Sequence, residues 1–282
     1  MLDKAGPLAY TQGASGWHMY PTLHLGPVTL STYTLLLDVG IVAGLAWLMA
    51  SAQHLGRVKA SRWLNAGLAA VIAGLVGARA GYVLVNWAYF HDHLGEAVQL
   101  WLGGLSWHGG LFAGVLMLIV WARWRGLPLG ALADAAAPGM LVGLAAGWTG
   151  CLMVGCNYGR EVLDPTSPWR RLAAELPDIY GIVAPRLVSQ AFAAGWALAV
   201  LVLLVLLRQA RLPEGGRFLL ALGLFSLGLF VIGFTRGDPS PPVGAWRLDQ
   251  VIDLSIAVAS LAGLKRIRLP SPVLRSPSST DY

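Results

Sequence analysis

Apolar residues in this chain come in blocks of about twenty, separated by short stretches rich in charge, Pro or Gly. A helix rises 1.5 Å per residue, so about 20 mainly apolar residues cross roughly 30 Å of hydrocarbon. Such blocks predict seven membrane-spanning helices, at residues 29–50, 64–87, 107–122, 131–155, 187–207, 217–235 and 248–264. The third block is short, and its helix is expected to begin inside the Gly-rich run before it. The fold class this implies is all-α, a polytopic membrane helix bundle over residues 29–264. Residues 1–28 lack the basic and apolar regions of a cleaved signal peptide and read as a retained outer segment. Residues 265–282, ending SPVLRSPSSTDY, are polar and Pro/Ser-rich and read as a disordered tail. No internal repeat is visible, so a two-half transporter architecture has no support.

Composition agrees with this pattern. Only 12% of residues are charged, against roughly 25% in soluble domains, and the mean hydropathy is +0.62. A chain this apolar is not disordered, and 2 cysteines do not make a disulfide scaffold. The net charge of +6 would by itself suggest nucleic acid, but its distribution gives a topological account instead. With the N-terminus outside, the inner segments hold twelve Lys and Arg, among them Arg57, Lys59, Arg62, Arg123 and Arg125, and the outer segments hold seven. This bias places the N-terminus outside and the C-terminus in the cytoplasm, with no nucleic-acid partner. The 12 tryptophans fit the membrane–water interface in the same way.

Ionisable side chains inside spans are costly, so each invites an explanation. Asp38 lies mid-span in TYTLLLDVGIV and Arg79 in the outer half of the next span, in VGARAGYVL. They either pair with each other or are satisfied singly, Arg79 by snorkelling to the headgroups. His108 stands in LGGLSWHGGLFAG. An imidazole there can act as a general base near neutral pH, or it is a hydrogen-bonded structural histidine beside a helix-packing glycine motif. Cys151 and Cys156, in GWTGCLMVGCNYGRE, do not have CxxC spacing and have no further ligands at metal spacing. They read as buried free cysteines behaving as small hydrophobes. The alternative is a reactive thiol carrying an acyl or disulfide intermediate. GASG at Ser15 has no strand or span to frame it as a hydrolase elbow.

Taken in order over roughly residues 20–260, these segments resemble the prolipoprotein diacylglyceryl transferase family of bacterial membrane enzymes. YPTLHLGPVTLSTYT is similar to the family's opening and places Tyr33 at the outer start of the first span. VGARAGYVL resembles its Gly-Arg-x-Gly-Tyr segment, placing Arg79 and Tyr82. GGLSWHGGLFAG resembles its histidine motif and places His108. DAAAPGMLVGLAAGWTGCLMVGCNYGRE resembles its signature, aligning Asp134, Pro138, Gly150, Gly159 and Arg160. RLVSQAF, GFTRGD and LDQVIDLS are similar to later segments through Ser189 and Gln190, Arg236, and Gln250.

The resemblance implies transfer of a diacylglyceryl group from phosphatidylglycerol to the lipobox cysteine thiol of a prolipoprotein signal peptide. The implied location is the outer face of the bacterial cytoplasmic membrane. His108 would be the catalytic base, with Tyr33 beside it as a hydrogen-bond donor. Arg79, Tyr82, Gly159, Arg160, Gln190, Arg236 and Gln250 would bind substrate, with Arg186 and Arg247 in reserve. No cofactor or metal is implied. Charge counting alone puts Tyr33, His108, the Cys151–Arg160 segment and Arg236 on the outer side, where this chemistry belongs.

The chain also departs from the family. Where the signature reads Arg-x-Gly-Asn-x-x-Asn-Gly-Glu, Trp148, Cys151, Val154 and Cys156 replace the arginine, the two asparagines and the glutamate. Leu229 falls on a second arginine, and Gly233 and Ala193 on glutamates. These losses keep open a second reading, a paralogue that binds lipid or a partner protein without catalysing transfer.

Overall fold

The structure, a computed structural model, describes residues 21–25, 28–56, 59–100 and 103–267. Most of the expected outer segment and nearly all of the C-terminal tail therefore lie outside the described residues. Among those described, seven helices have 18 residues or more: α1 (Thr32–Leu55), α2 (Ala60–Val85), α5 (Trp107–Arg125), α6 (Leu129–Val154), α7 (Ser189–Leu206), α8 (Gly216–Gly233) and α9 (Leu248–Arg266). Two single turns, α3 (Trp87–Phe90) and α4 (Leu94–Ala97), lie between α2 and α5. The protein is mainly helical, and α1, α2, α6, α7 (with the turn that follows it) and α8 are each long and apolar enough to cross a membrane. Asp249 and Asp253 dilute the apolar content of α9, and His108 with its flanking tryptophan and glycines does the same in α5. Large side chains such as Val42, Ile72, Val76, Leu116, Val202 and Val231 lie exposed on these helices. Lipid tails would solvate them; water would not.

The start of α5 differs from the expectation. The helix does not reach back into the glycine run, because Gly103 and Gly104 adopt left-handed φ of 79° and 71°. Ser106 is the N-cap, and its side chain accepts a hydrogen bond from the Gly109 N–H. The helix lengthens at its other end instead, to Arg125, and stops at Gly126 in the left-handed conformation. The spans did not predict three antiparallel hairpins in the connecting segments: β1 (Thr22–Leu25) with β2 (Val28–Ser31), β3 (Ala173–Pro177) with β4 (Val183–Leu187), and β5 (Pro242–Val243) with β6 (Trp246–Arg247).

The chain divides into two compact units. The first comprises residues 1–44, 139–199 and 227–254. Within it, α1 meets α6 through glycine: a Cβ on Gly139 would lie 2.7 Å from the Gly44 carbonyl oxygen. Leu152, Ala174, Leu176 and Val188 form a buried cluster that fixes the β3–β4 hairpin to the end of α6. The second unit comprises residues 45–138, 200–226 and 255–282. Its core includes Leu48, Trp63, Ala66, Leu118, Ala122 and Leu132. There α2 and α5 pack through Gly74, Gly77 and Gly81 against Gly109, Gly110 and Gly114, with no room for a side chain at Gly77 or Gly109. Lipid supplies no hydrophobic drive for helix pairing, so close backbone approach of this kind is what holds such helices together.

Candidate active site

In the second unit, one group of candidate residues centres on the turn that presents His108. This residue occupies the first turn of α5, between the Ser106 cap and the Gly109–Gly110 seam. The loop leading to it is organised by Arg79, which is only 6% exposed. The Arg79 guanidinium donates to the carbonyl oxygens of Glu96 (2.6 Å), Ala97 (2.9 Å), Gly103 (2.5 Å) and Gly104 (3.2 Å). Its cationic face also lies against the rings of Phe90 and Tyr82. Among the described residues none of these partners is a carboxylate, so the pair with Asp38 is not what satisfies Arg79; Asp38 itself is exposed. Tyr82 packs against Gly104, where a Cβ would collide with its ring. The Ser106 N–H donates to the Ala78 carbonyl at 2.9 Å, tying the end of the loop to α2. Arg79 and Tyr82 thus hold the glycine-rich loop that precedes the histidine.

In the first unit, a separate group of candidate residues is built on the end of α6. Gly155 is left-handed (φ 75°), its N–H donates to the Leu152 carbonyl, and the Cys156 N–H donates to the Cys151 carbonyl at 3.0 Å. These are the two hydrogen bonds of a Schellman helix stop. That motif brings together the side chains five residues apart on either side of the stop, and here they are Cys151 and Cys156. They form a disulfide. The expectation of free thiols is corrected accordingly: i, i+5 spacing is useless for a CxxC pair within a helix but suits a bond across a helix stop.

Asn157 follows with φ 51°, a conformation that Asn tolerates better than most residues. Its amide donates to the Cys151 sulfur, and its Oδ1 accepts from Arg236 Nη2 at 2.9 Å. The chain then runs beside residues 235–237: Gly159 and Arg236 form a β-bridge, the Arg160 N–H donates to the Thr235 carbonyl, and the Gly237 N–H donates to the Tyr158 carbonyl. A Cβ at Gly159 would lie 2.7 Å from the Leu187 Cβ, so glycine is required. The Arg160 side chain is exposed and has no side-chain hydrogen bond or ion pair among the described residues.

Arg236 is fully engaged. It grips Asp238 with two parallel hydrogen bonds (2.8 and 2.6 Å) and reaches Asp249 at 2.6 Å. Arg247 closes the ring on the same two carboxylates at 3.2 and 3.1 Å. Burial would push the Arg236 guanidinium down, but its hydrogen bonds to Asp238 and the charges of Asp238, Asp249 and Asp253 outweigh that and raise it. Arg186 is also committed, buried between Glu161 (2.7 Å) and Asp178 (3.1 Å). The fully buried Gln190 donates to the Cys156 carbonyl at 2.6 Å, while Ser189 hydrogen-bonds Thr235. Gln250 donates to the Phe230 carbonyl and accepts the Arg247 N–H. Tyr33 lies against α6 where Gly150 leaves room: a Cβ there would be 3.0 Å from the Tyr33 Cα.

The model of the prolipoprotein diacylglyceryl transferase family matches residues 21–265. The chain belongs to this family. A relative from Geobacillus kaustophilus named phosphatidylglycerol–prolipoprotein diacylglyceryl transferase is 34% identical over 252 residues, covering 85% of this chain and 89% of the relative. Proteins of the same name from Bacillus velezensis and Bacillus licheniformis are 30% identical, covering 84% and 86% of this chain and 88% and 91% of their own.

Family membership makes the departures informative. At Gly233 a Cβ would lie 2.8 Å from the Gln250 Cδ, so the Gln250 amide fills the space that a side chain at this position would need. Trp148, Ala193 and Leu229, where the resemblance leads one to expect polar groups, are all buried apolar side chains. Sequence reasoning missed the partners of Arg236: Asn157, Asp238 and Asp249, with Arg247 in the ring rather than in reserve. The only available signal was that GDPS and RLDQ each set an aspartate within two residues of an arginine, Arg236 and Arg247.

Proposed function

We propose that this protein is a transferase that moves the diacylglyceryl group of phosphatidylglycerol onto the lipobox cysteine thiol of prolipoprotein signal peptides. The observation that carries the reading is the ordered family match over residues 21–265, in which the histidine motif is intact. In this reaction the thiol proton passes to the His108 imidazole, and the thiolate forms a C–S bond to the glyceryl carbon. The bond between that carbon and the phosphate oxygen breaks, and glycerol phosphate leaves with the electron pair. Tyr33 donates a hydrogen bond to the lipid headgroup. Arg160, whose guanidinium has no partner among the described residues, binds the phosphate. Arg79 and Tyr82 hold the loop ahead of the base, while Gly159, Gln190, Arg236 and Gln250 hold the Arg160 segment in place.

The Lys and Arg bias supports seven spans, an outside N-terminus, a cytoplasmic C-terminus and an active face on the outer side of the bacterial cytoplasmic membrane. The test is to express the chain in a bacterium depleted of its own diacylglyceryl transferase and follow labelled-lipid incorporation into a reporter prolipoprotein. Conversion that disappears with His108→Ala is the expected result. A correctly inserted protein that converts nothing, or a His108→Ala variant that converts fully, refutes the assignment.

A further inference from the structure

We infer that the Cys151–Cys156 disulfide positions the Arg160 face of the site, so that lipidation by this protein depends on oxidation of these two thiols. The inference rests on the transferase reading above. It starts from what the bond joins: Cys151 lies in the last turn of α6, Cys156 lies beyond the stop, and the same stop carries two backbone hydrogen bonds. Three side chains meet at this point. Asn157 bridges the Cys151 sulfur to Arg236 Nη2, Gln190 takes the Cys156 carbonyl, and the Gly159–Arg236 bridge follows within three residues. The bond therefore closes the turn from which Arg160 is displayed.

The two cysteines occupy positions where the family signature has asparagine and glutamate. A covalent tie thus does work that polar side chains do elsewhere. Such bonds persist in oxidising spaces outside the cytoplasm, on the side where the charge bias places this loop. The chemistry balances: two thiols give up two protons and two electrons to a disulfide-bearing oxidant of that space, whose own disulfide becomes two thiols. With both sulfurs tied up in the bond, neither offers a thiolate to attack the lipid, so the pair positions and does not catalyse.

The experiment uses the full chain in native membranes. Thiol counting with a maleimide reagent should find neither cysteine reactive before dithiothreitol and both reactive after it. Reduction should cut reporter lipidation about tenfold or more, and oxidised glutathione should restore it. The double variant Cys151→Ser/Cys156→Ser should match the reduced enzyme and ignore the reductant. The polar pair Cys151→Asn/Cys156→Glu should regain activity and also ignore it, which a merely stabilising bond would not predict. A readout independent of activity is trypsin cleavage after Arg160 and Arg236, which should speed up about tenfold on reduction as the turn loosens.

Thiols that react without reductant overturn the inference, as does lipidation or cleavage that does not respond to reduction. If the oxidised protein has no transferase activity but its cleavage responds to reduction, the functional assignment fails while the positioning role of the bond stands.

Discussion

Replacing Arg79 separates two roles that the sequence alone leaves merged. Arg79 makes four charge-assisted hydrogen bonds to carbonyls at residues 96–97 and 103–104 from a nearly buried position. Each is worth roughly 1.5–3 kcal/mol, but the sum overstates the loss, because freed carbonyls rehydrate once the loop opens. A net loss of about two such bonds, roughly 3–5 kcal/mol, is the better guide. Arg79→Met should therefore lower the free energy of local opening by that amount and speed amide exchange in the loop by about 10²–10³-fold or more. The amides to follow by hydrogen-exchange mass spectrometry are those of Gln99, Gly103 and Ser106, whose hydrogen bonds lie in this loop. Arg79→Lys should fall between, since a single ammonium cannot reach both carbonyl pairs. Lipidation should decline in step with exchange across the series. If Arg79→Met abolished lipidation while leaving exchange at these amides unchanged, Arg79 would act on the phospholipid directly and the anchoring argument would be wrong.

Other perturbations give equally direct outcomes. Arg160→Ala should lower lipidation at limiting phosphatidylglycerol by about 10–100-fold without loosening the fold, measured as initial rate against thermal stability; equal activity would remove Arg160 from phosphate binding. Asp134 caps α8 by accepting the N–H groups of Gly215 and Phe218, both at 2.9 Å, so Asp134→Ala should cost about 2–3 kcal/mol in denaturant unfolding, and Asp134→Asn less. Gly77→Ala forces a methyl onto Gly109 and Ala113 and should cost about 1–3 kcal/mol, whereas Gly95→Ala meets nothing within 4 Å and should be neutral in the same unfolding assay. The Asp178 carboxyl lies below its ordinary 3.8, because N–H groups of Ile182 and Tyr180 and the Arg186 charge outweigh the upward pull of burial. Its support of the β3–β4 hairpin is therefore complete above that value and is lost as pH falls through the lowered folded-state value: Asp178→Asn should weaken Tyr180 and Ile182 amide protection at about pH 6, and the difference from the parent should shrink steadily as pH is taken below 3.8.

The long helices were legible because one strong signal, block hydrophobicity, sets them: all seven lie within a few residues of the expected blocks, and five are long and apolar enough to cross a membrane. α5 starts at Trp107, the first residue of its expected block, and only the extension into the glycine run fails, because Gly103 and Gly104 read as helix-packing glycines in sequence and their left-handed φ shows that they serve a loop. The hairpins were missed because they occupy connectors, where two to five residues of strand give no periodicity. His108 and Arg160 could be named from motifs. The Arg236–Asp238–Arg247–Asp249 ring could not, because it is made across a turn that no local pattern announces. The disulfide was in principle readable: a glycine one residue before the second of two cysteines five apart is the signature of a helix stop that brings them together.

These geometries also decide how far the missing family residues matter. By the resemblance, Trp148 and Leu229 stand where the family carries arginines, so the question becomes which of this chain's arginines has donors to spare. Arg79 spends its charge on four carbonyls, Arg186 on Glu161 and Asp178, and Arg236 and Arg247 on a pair of aspartates. A guanidinium held by carboxylates carries little net charge outward, so Arg186, Arg236 and Arg247 attract an anion less strongly than their formal charge suggests, while Arg79 keeps its charge but has its donors taken by carbonyls at a nearly buried position. Arg160 is different: it extends from a turn locked by a disulfide, a required glycine and two strand-like contacts, and its guanidinium is exposed. Rigid support lowers the entropy lost when such a side chain closes on a phosphate. One pre-organised arginine on a fixed turn can thus recover part of what two further arginines would supply, and this makes the integrity of that turn the most sensitive feature of the site.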